Sequence, residues 1–267
     1  MIQYNNHNNI KEIHYNNHSI KYVYGCGGNL VWSGDTPTPT GGTKFYATYN
    51  DSSTYSVDCD GDSRLLTGST HYGGYSKYSG MTSAVIGDCV TSIGDGNYGP
   101  FGNCVSLTAV TIPNSVTNIR SAAFRYCNSL TSVGIPGSGA SVEIPTGVTS
   151  FSDGSEFDYC SGLTDVVIGD QITSLSYGMF SNCFSLTSVT IGSGVSNMDA
   201  YVFKNCTALT SVTINAVTPP TSDATPSNWG AFENTNDCPI YVPAESVAAY
   251  KTANLWGTYA SRIQAIP

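Results

Sequence analysis

Apolar residues recur at a fixed spacing through the second half of the chain. Five cysteines each lie three residues after a phenylalanine and three residues before a leucine. The cysteines are Cys104, Cys127, Cys160, Cys183 and Cys206, which gives spacings of 23, 33, 23 and 23 residues. Self-similarity at a period near 23 residues predicts the stacked coils of a solenoid rather than the core of a globular enzyme.

The pattern within one repeat predicts the elements of one coil. The unit reads Leu-Thr-x-Val-x-Ile, a spacer, a second apolar pair and then Phe-x-x-Cys. Alternating apolar positions such as Val110 and Ile112 favour a strand with every second side chain inward. The Phe-x-x-Cys segment fits one turn of α or 3₁₀ structure. We therefore predict a β-rich solenoid of roughly six coils, on the order of 29 Å long at the usual strand spacing.

Segments outside the regular repeats predict an insertion, caps and an accessory module. The 33-residue spacing contains a ten-residue insertion around Pro136 to Pro145, which we expect to project from one face. Near the N-terminus, Ile10–Tyr15, Ile20–Tyr24 and Leu30–Trp32 read as three short strands. The predicted domains are residues 1–34, an anchoring β module; 35–42, a Thr/Pro/Gly linker; 43–80, an N-terminal β cap; 81–216, the solenoid; and 217–267, a C-terminal cap.

Charge and hydropathy exclude two classes of partner. Only 11% of the residues are charged and the formal net charge is −9, whereas a phosphate-binding surface needs clustered Lys and Arg. We therefore expect no nucleic-acid binding. No stretch approaches the ~20 apolar residues that span a bilayer, so we expect no membrane insertion.

The repeat F-x-x-C-x-x-L-T-x-V-x-I resembles the BspA-type leucine-rich repeats found in surface proteins of gut and oral bacteria. The resemblance covers residues 81 to about 216. Residues 238–267 are similar to the closing segment of many such proteins, and Trp256 and Tyr259 would cover the end of the stack. The resemblance implies a leucine-rich-repeat solenoid on a surface.

A second resemblance concerns residues 1–34. The segment I-K-x-I-x-Y … I-K-Y-V-Y-G … L-V-W resembles N-terminal modules of virion proteins from gut bacteriophages, including crAss-like phages. It implies a β element that docks onto other virion proteins, in one or several copies per particle. The N-terminus also lacks an apolar run with a cleavage site, which favours release by lysis over export. The candidate anchor residues are Ile10, Ile13, Tyr15, Ile20, Tyr22, Tyr24, Leu30 and Trp32.

Candidate catalytic and metal-binding groups are weak in this sequence. The histidine spacings match no ligand motif, and Asp58-Cys-Asp60-Gly-Asp62 resembles part of a calcium loop without its closing Glu, which favours a solvated turn. Asp153, Glu156 and Asp158 are close in sequence, and we expect them to face solvent. A catalytic carboxylate needs a pocket that shifts its pKa, and none is evident. We predict a protein without enzymatic activity, cofactor or metal.

The repeated cysteines predict a column of sulfur atoms along the stack. One interpretation is disulfides or a metal site; the other is a row of small buried thiols. Free Cys is among the most buried residue types, and parallel Cβ vectors from neighbouring coils make poor disulfide geometry. The row of buried thiols is therefore favoured.

Outward-facing hydroxyl and aromatic residues are the candidate binding surface. Tyrosine provides contact area at low entropy cost and suits glycan or protein surfaces. The threonines have an alternative explanation in β-propensity and solubility. The candidates are Tyr126, Tyr159, Tyr177 and Tyr201, with Thr108, Thr131, Thr164, Thr187 and Thr210.

These observations support three functional hypotheses. The leading one is a phage virion fibre or decoration protein, anchored through residues 1–34, whose solenoid adheres to a host surface glycan or protein. The second is a bacterial cell-surface adhesin or antigen with the same repeats. The third is a virion scaffold component without a receptor role.

Overall fold

The computed structural model describes residues 80–87, 90–94, 99–134, 142–152, 154–222 and 229–267, with only the backbone of residues 134, 142 and 143 and of the strands before residue 80. The chain divides into two compact units, Met1–Gly41 and Gly42–Pro267. In the first unit, the antiparallel strands are β1 (Ile2–Tyr4), β2 (Ile10–Tyr15) and β3 (His18–Val23). The predicted strand at Leu30–Trp32 lies outside the described residues.

The second unit consists of short strands joined by tight turns. Its strands are β4 (Thr43–Tyr49), β5 (Thr54–Asp58), β6 (Leu65–Leu66), β7 (Met81–Ile86), β8 (Ser92–Ile93), β9 (Ala109–Thr111), β10 (Asn118–Arg120), β11 (Ser132–Gly134), β12 (Val142–Glu143), β13 (Ser150–Ser152), β14 (Asp165–Ile168), β15 (Ser174–Leu175), β16 (Ser188–Ile191), β17 (Asn197–Met198), β18 (Ser211–Ile214), β19 (Ile240–Val242) and β20 (Ile263–Ala265). Helix α1 (Val247–Thr252) lies between the 3₁₀ turns Ala244–Ser246 and Trp256–Tyr259.

The long sheet of this unit follows the repeat. Among the described strands its order is β5-β4-β7-β9-β11-β12-β14-β16-β18-β19-β20, parallel from β7 onward. Val166 pairs with Val189, and Val189 with Val212, so the register advances by one repeat per strand. A second sheet, β6-β8-β10-β13, and the pair β15-β17 are also parallel. The described part of the chain is thus a β-solenoid of about seven parallel coils, which confirms the predicted fold.

The Phe-x-x-Cys segments form single turns rather than helices, closed for example by the hydrogen bond from the Cys127 amide to the Phe124 carbonyl at 3.2 Å, and we call these segments the helical turns. A column of phenylalanine rings fills the core beneath them. Successive rings stack with centroids 5.1 to 5.6 Å apart and planes within 8° of parallel. The column consists of Phe101, Phe124, Phe157, Phe180, Phe203 and Phe232, all at most 1% exposed. At its C-terminal end, Tyr259 meets Phe232 edge-on at 5.6 Å, and the Trp256 centroid lies 6.0 Å from the same ring. These two aromatic residues cover the last phenylalanine.

Each helical turn is hydrogen-bonded to the turn of the next coil. The Phe124 amide donates to the Glu156 carbonyl at 2.8 Å, and the Phe180 amide donates to the Val202 carbonyl at 2.8 Å. The residue before each repeated cysteine has a φ of 60° to 62° and donates its amide in the same direction. Tyr126, for example, donates to the Asp158 carbonyl at 2.9 Å. The residue with left-handed backbone conformation therefore directs its N–H along the stack, and a main-chain carbonyl of the next coil accepts it.

The ten-residue insertion does not simply project from one face. Its end, Val142–Glu143, forms β12 between β11 and β14, and Ile144 and Pro145 are buried. The prediction was wrong for this part because Val142-Glu-Ile-Pro145 repeats the Val-x-Ile-Pro pattern of Val110–Pro113, which suits a buried strand and its turn. The insertion thus adds a strand to the long sheet, whereas β13 pairs directly with β10.

The phenylalanine column is expected to carry much of the stability of the stack. Replacing Phe180 by Ala should lower the free energy of unfolding by about 3–5 kcal/mol, because a fully buried ring is lost from between two others. Phe184, four residues later, is 44% exposed, and Phe184→Ala should cost less than about 1 kcal/mol. Urea denaturation followed by circular dichroism measures both; equal losses in the two variants would contradict this assignment.

Candidate functional site

Each candidate threonine directly precedes a strand of the long sheet, and together they form a row across the beginnings of these strands. The hydroxyls of Thr131, Thr187 and Thr210 each donate to the main-chain oxygen of the corresponding threonine one coil earlier, at 3.1, 2.9 and 2.9 Å. Thr108 donates to the Thr82 carbonyl at 2.9 Å, and Thr164 donates to the Asp165 carboxylate at 2.8 Å. Four of these five hydroxyls thus join neighbouring coils, whereas the Thr164 hydroxyl bonds within its own coil.

Two of the candidate tyrosines stack on one another. The rings of Tyr126 and Tyr159 lie 4.8 Å apart at 27°, and the Arg125 guanidinium lies 4.8 Å from the Tyr126 centroid. Phe184 meets Tyr159 edge-to-face at 6.2 Å. Sequence reasoning did not single out Phe184, although it directly follows a repeated cysteine and its ring is exposed. Tyr126, Tyr159 and Phe184 thus form one aromatic row across three coils.

The other two tyrosines form a second cluster. Tyr177 is 51% exposed and meets Tyr201 edge-to-face at 5.6 Å. The Lys204 ammonium lies 4.4 Å from the Tyr201 centroid and 3.1 Å from a Glu233 carboxylate oxygen. In this cluster the cation is neutralised by its own ion pair.

A polar ladder runs beneath these aromatic residues. Asn234 donates its amide to Asn205, Asn205 to Asn182, and Asn182 to Asp158, at 2.9, 2.8 and 2.9 Å. From the other side, Arg125 Nε donates to Asp158 at 2.9 Å. The sequence contains a pattern that could have indicated this ladder, since Asn or Tyr precedes every repeated cysteine. Asp158 is the shared acceptor that ends the ladder.

Two of the three acidic residues named in the third coil, Glu156 and Asp158, are buried, contrary to the prediction that they face solvent. Glu156 is fully buried and accepts the Ser176 hydroxyl at 2.5 Å, while the Asp158 side chain is only 6% exposed. Glu156 occupies the inward site that Ala123 and Met179 occupy in neighbouring coils. Asp158 lies at the position of the partly exposed Arg125 and Lys204, and Arg125 and Asn182 cover it by bonding to its carboxylate. Asp153 lies outside the described residues. Because hydrogen bonds hold Asp158 and Glu156 inside the stack, we interpret both as structural.

Burial raises the pKa of Asp158, although the hydrogen bond from Asn182 and the charge of Arg125 oppose the shift. The folded state therefore holds the proton more tightly than the unfolded chain does. Stability from this group is fully present below the unfolded pKa, about 4, and is lost as the pH rises through the folded pKa. Asp170 has the opposite behaviour: hydrogen bonds from the Ser193 amide and hydroxyl lower its pKa.

These opposite shifts give a paired test. The free energy of unfolding of the wild type, relative to Asp158→Asn, should fall as the pH rises from 4 to 7. Relative to Asp170→Asn it should instead fall as the pH drops from 5 to 3, because the lowered pKa stabilises the folded state only while Asp170 is ionised. Urea unfolding across this pH range measures both differences, and slopes of the same sign would contradict the assignment.

In the described coils the repeated cysteines are all buried, and none of them forms a disulfide. The thiols of Cys127, Cys160, Cys183 and Cys206 donate to the carbonyls of Phe101, Phe124, Phe157 and Phe180, respectively, at 3.0 to 3.3 Å. Each bond joins a coil to the one before it. Burial raises the pKa of these thiols, that of Cys206 to about 12. Because the thiolate is the nucleophile and the metal ligand, this environment disfavours both roles.

The remaining candidate sites have no described geometry. The candidate anchor residues Ile10, Ile13, Tyr15, Ile20 and Tyr22 lie on β2 and β3, which pair over Ile10–Val23 with their side chains outside the description. Tyr24, Leu30, Trp32 and the side chains of Asp58, Asp60 and Asp62 also lie outside it. Within the described residues, no group of His, Cys, Asp or Glu could hold a metal ion, and no helix could span a bilayer.

A shallow groove of about 450 Å³ lies between two adjacent turns of the stack. It is lined by Ser193, Val195, Ser196, Val217 and Thr221, among others. The hydroxyls of Ser196 and Thr221 donate to main-chain carbonyls one coil away. Among the described residues, no titratable side chain lines this groove.

The coils, their register and the outward-facing ladders define a leucine-rich-repeat solenoid. The sequence model of the BspA-type leucine-rich repeat region, with six copies, matches residues 74–141 and 138–248. The chain therefore belongs to the BspA-type leucine-rich repeat family, and no enzyme family is indicated. No curated protein is significantly similar in sequence.

Several solved structures are similar to the chain. A leucine-rich repeat protein of T. pallidum is 20% identical over 74% of this chain and 77% of that chain, with a TM-score of 0.48. A leucine-rich repeat protein of Bacteroides ovatus is 18% identical over 60% of this chain and 45% of that chain, with a TM-score of 0.43. A leucine-rich cell surface protein of Faecalibacterium prausnitzii is 20% identical over 69% and 63%, with a TM-score of 0.29. Likenesses at this level say nothing about ligands or partners.

The comparisons do not support the virion interpretation of residues 1–34, and the bacterial alternative fits at least as well. The family match begins at residue 74, beyond the segment that carries the phage resemblance. Anchoring to virion proteins through residues 1–34 stays a hypothesis.

Proposed function

We propose that this protein is a bacterial cell-surface protein of BspA type that acts by adhesion, without catalysis, to a host glycan or protein. The observation that carries the proposal is the set of exposed aromatic side chains on helical turns that are hydrogen-bonded to the next coil. Tyr177 and Phe184 are 51% and 44% exposed, yet the turn that carries them is hydrogen-bonded to the next coil through the amides of Phe180 and Asn182. Exposed aromatic residues on a rigid backbone lose little entropy on binding.

The buried reactive groups support a non-enzymatic role. Asp158 is held by Arg125 and Asn182, and Glu156 accepts a hydrogen bond from Ser176. A catalytic acid must reach a substrate, whereas these carboxylates lie inside the stack. The thiols of the cysteine column are buried with raised pKa values, which keeps them protonated.

The cell-surface location is supported by the family. Its repeats resemble those of surface proteins from gut and oral bacteria, and the family match covers residues 74–248. Antibodies against the folded protein should label intact cells of the producing bacterium. Labelling of purified phage particles, with no labelling of intact cells, would contradict the location and favour the virion hypothesis.

The binding surface can be tested with beads that carry the full-length protein and a surface coated with mucin glycoprotein. Tyr177→Ser combined with Phe184→Ser should weaken adhesion about tenfold or more, because aromatic anchors dominate most interfaces. Val167→Ser is the matched control, since Val167 is 37% exposed on the long sheet and should leave adhesion unchanged. If Val167→Ser abolishes adhesion and the aromatic variant does not, the helical-turn surface is not the binding surface.

A further inference from the structure

We propose that the outer surface of the second to fourth helical turns binds a sugar that carries a single carboxylate. This inference rests on the proposed function, because it names the ligand class of the same adhesive surface. The site, which we call the acidic-sugar patch, consists of Arg125, Tyr126, Asn128, Tyr159 and Phe184. No other part of the described surface combines a positioned guanidinium with a row of aromatic side chains.

Arg125 is oriented so that part of its guanidinium stays available. Its Nε donates to Asp158 at 2.9 Å, and its plane is held 4.8 Å from the Tyr126 centroid. The side chain of Arg125 is 40% exposed, while that of Asp158 is 6% exposed. A guanidinium has five N–H donors, so using Nε leaves the terminal nitrogens to bind a carboxylate in the bidentate geometry that Arg favours. The buried Asp158 thus fixes the direction of Arg125.

The neighbouring side chains suit a sugar ring rather than a second ion. Phe184 is 44% exposed and lies 6.2 Å from Tyr159, which gives an apolar surface for the C–H face of a pyranose. Asn128, two residues after Tyr126, is exposed, and the Ser161 hydroxyl donates to its carbonyl at 3.3 Å. Planar amides bind neighbouring sugar hydroxyls well. From the coil of Arg125 to that of Phe184 is about 10 Å along the stack, which fits a disaccharide.

The overall charge selects the kind of anion. With a net charge of −9, the protein repels polyanions, and long-range attraction does not contribute. Recognition must therefore come from one short-range pair, which requires one carboxylate on an otherwise neutral ligand. Lys204, in the equivalent position three coils further along, also pairs with a carboxylate, that of Glu233 at 3.1 Å, and its ammonium lacks the planar fork that binds a second carboxylate through two parallel N–H groups.

The test compares two disaccharides that differ only in one group: a glucuronic-acid-terminated probe and its neutral glucose-terminated counterpart. Titration calorimetry and saturation-transfer NMR on the full-length protein should show the acidic probe binding about tenfold or more tightly than the neutral one. Arg125→Gln should abolish this preference, and Phe184→Ser should weaken binding of both probes. Lys204→Gln, which removes the matched cation, should change neither. Circular dichroism confirms that each variant is folded, and Phe184→Ser, at an exposed position, tests the patch without disturbing the core.

Three outcomes would overturn the proposal: no binding of either probe, an unchanged preference in Arg125→Gln, or equally tight competition by an aspartate-rich peptide. The last would assign the patch to acidic proteins. Failure of the inference is distinguishable from failure of the proposed function, because mucin adhesion that persists in Arg125→Gln would leave the adhesive role intact.

Discussion

Each coil of this solenoid depends on its neighbours both for hydrogen-bond partners and for cover over its phenylalanine ring. The amides of the helical turns point along the stack and are accepted by the carbonyls of the next coil, as Phe157 is by Met179. If the next coil were missing, any of these amides that stayed partly buried would lack an acceptor. The free-energy cost of an unpaired buried amide is larger than the net gain from one hydrogen bond. Stability therefore grows by adding interfaces between coils rather than by enlarging one core.

This dependence determines what kind of chemistry the interior can hold. Inward positions repeat at the same depth in every coil, so a polar residue there must find its partner in an adjacent coil. Cys183 does so through the Phe157 carbonyl, and Glu156 does so through the Ser176 hydroxyl. Such groups hold coils together and are shielded from substrates. Among the described residues, the side chains left for contact with other molecules are therefore the outer ones, and the hydrogen-bonded turns beneath them determine how those side chains are arranged.

The repeat was readable from the sequence because it is carried by apolar residues with a regular spacing. The inward residues of β16 and β18, for instance, are buried where the Val-x-Ile alternation placed them. The strand Val142–Glu143 was not predicted, because the longer spacing between Cys127 and Cys160 made its Val-x-Ile pattern look like part of an insertion. Trp229, buried and bonded to the Met198 carbonyl, escaped because it belongs to no repeat.

The candidate surface was only partly predictable for a different reason. Composition pointed to the tyrosines, but it does not show which of them contact each other. Contacts between coils bring together side chains that are far apart in the sequence, and no local pattern identifies the pairs. The ring of Tyr126 stacks on that of Tyr159, whereas the ring of Tyr177 contacts that of Tyr201 edge-to-face. The burial of Glu156 follows from its place in the coil, although a charged residue normally signals solvent. Asp158 shares its repeat position with the partly exposed Arg125 and Lys204, and only its contacts with Arg125 and Asn182 in neighbouring coils account for its burial.

The dependence of each coil on the next is tested most directly by native-state amide hydrogen exchange. The account predicts that the turn amides of Phe124, Phe157 and Phe180, which donate between coils, exchange as slowly as the strand amides of Val189 and Val212. Both sets should be exposed by the same cooperative opening. Turn amides that exchange at the rate of an unstructured peptide, while the strands stay protected, would contradict it.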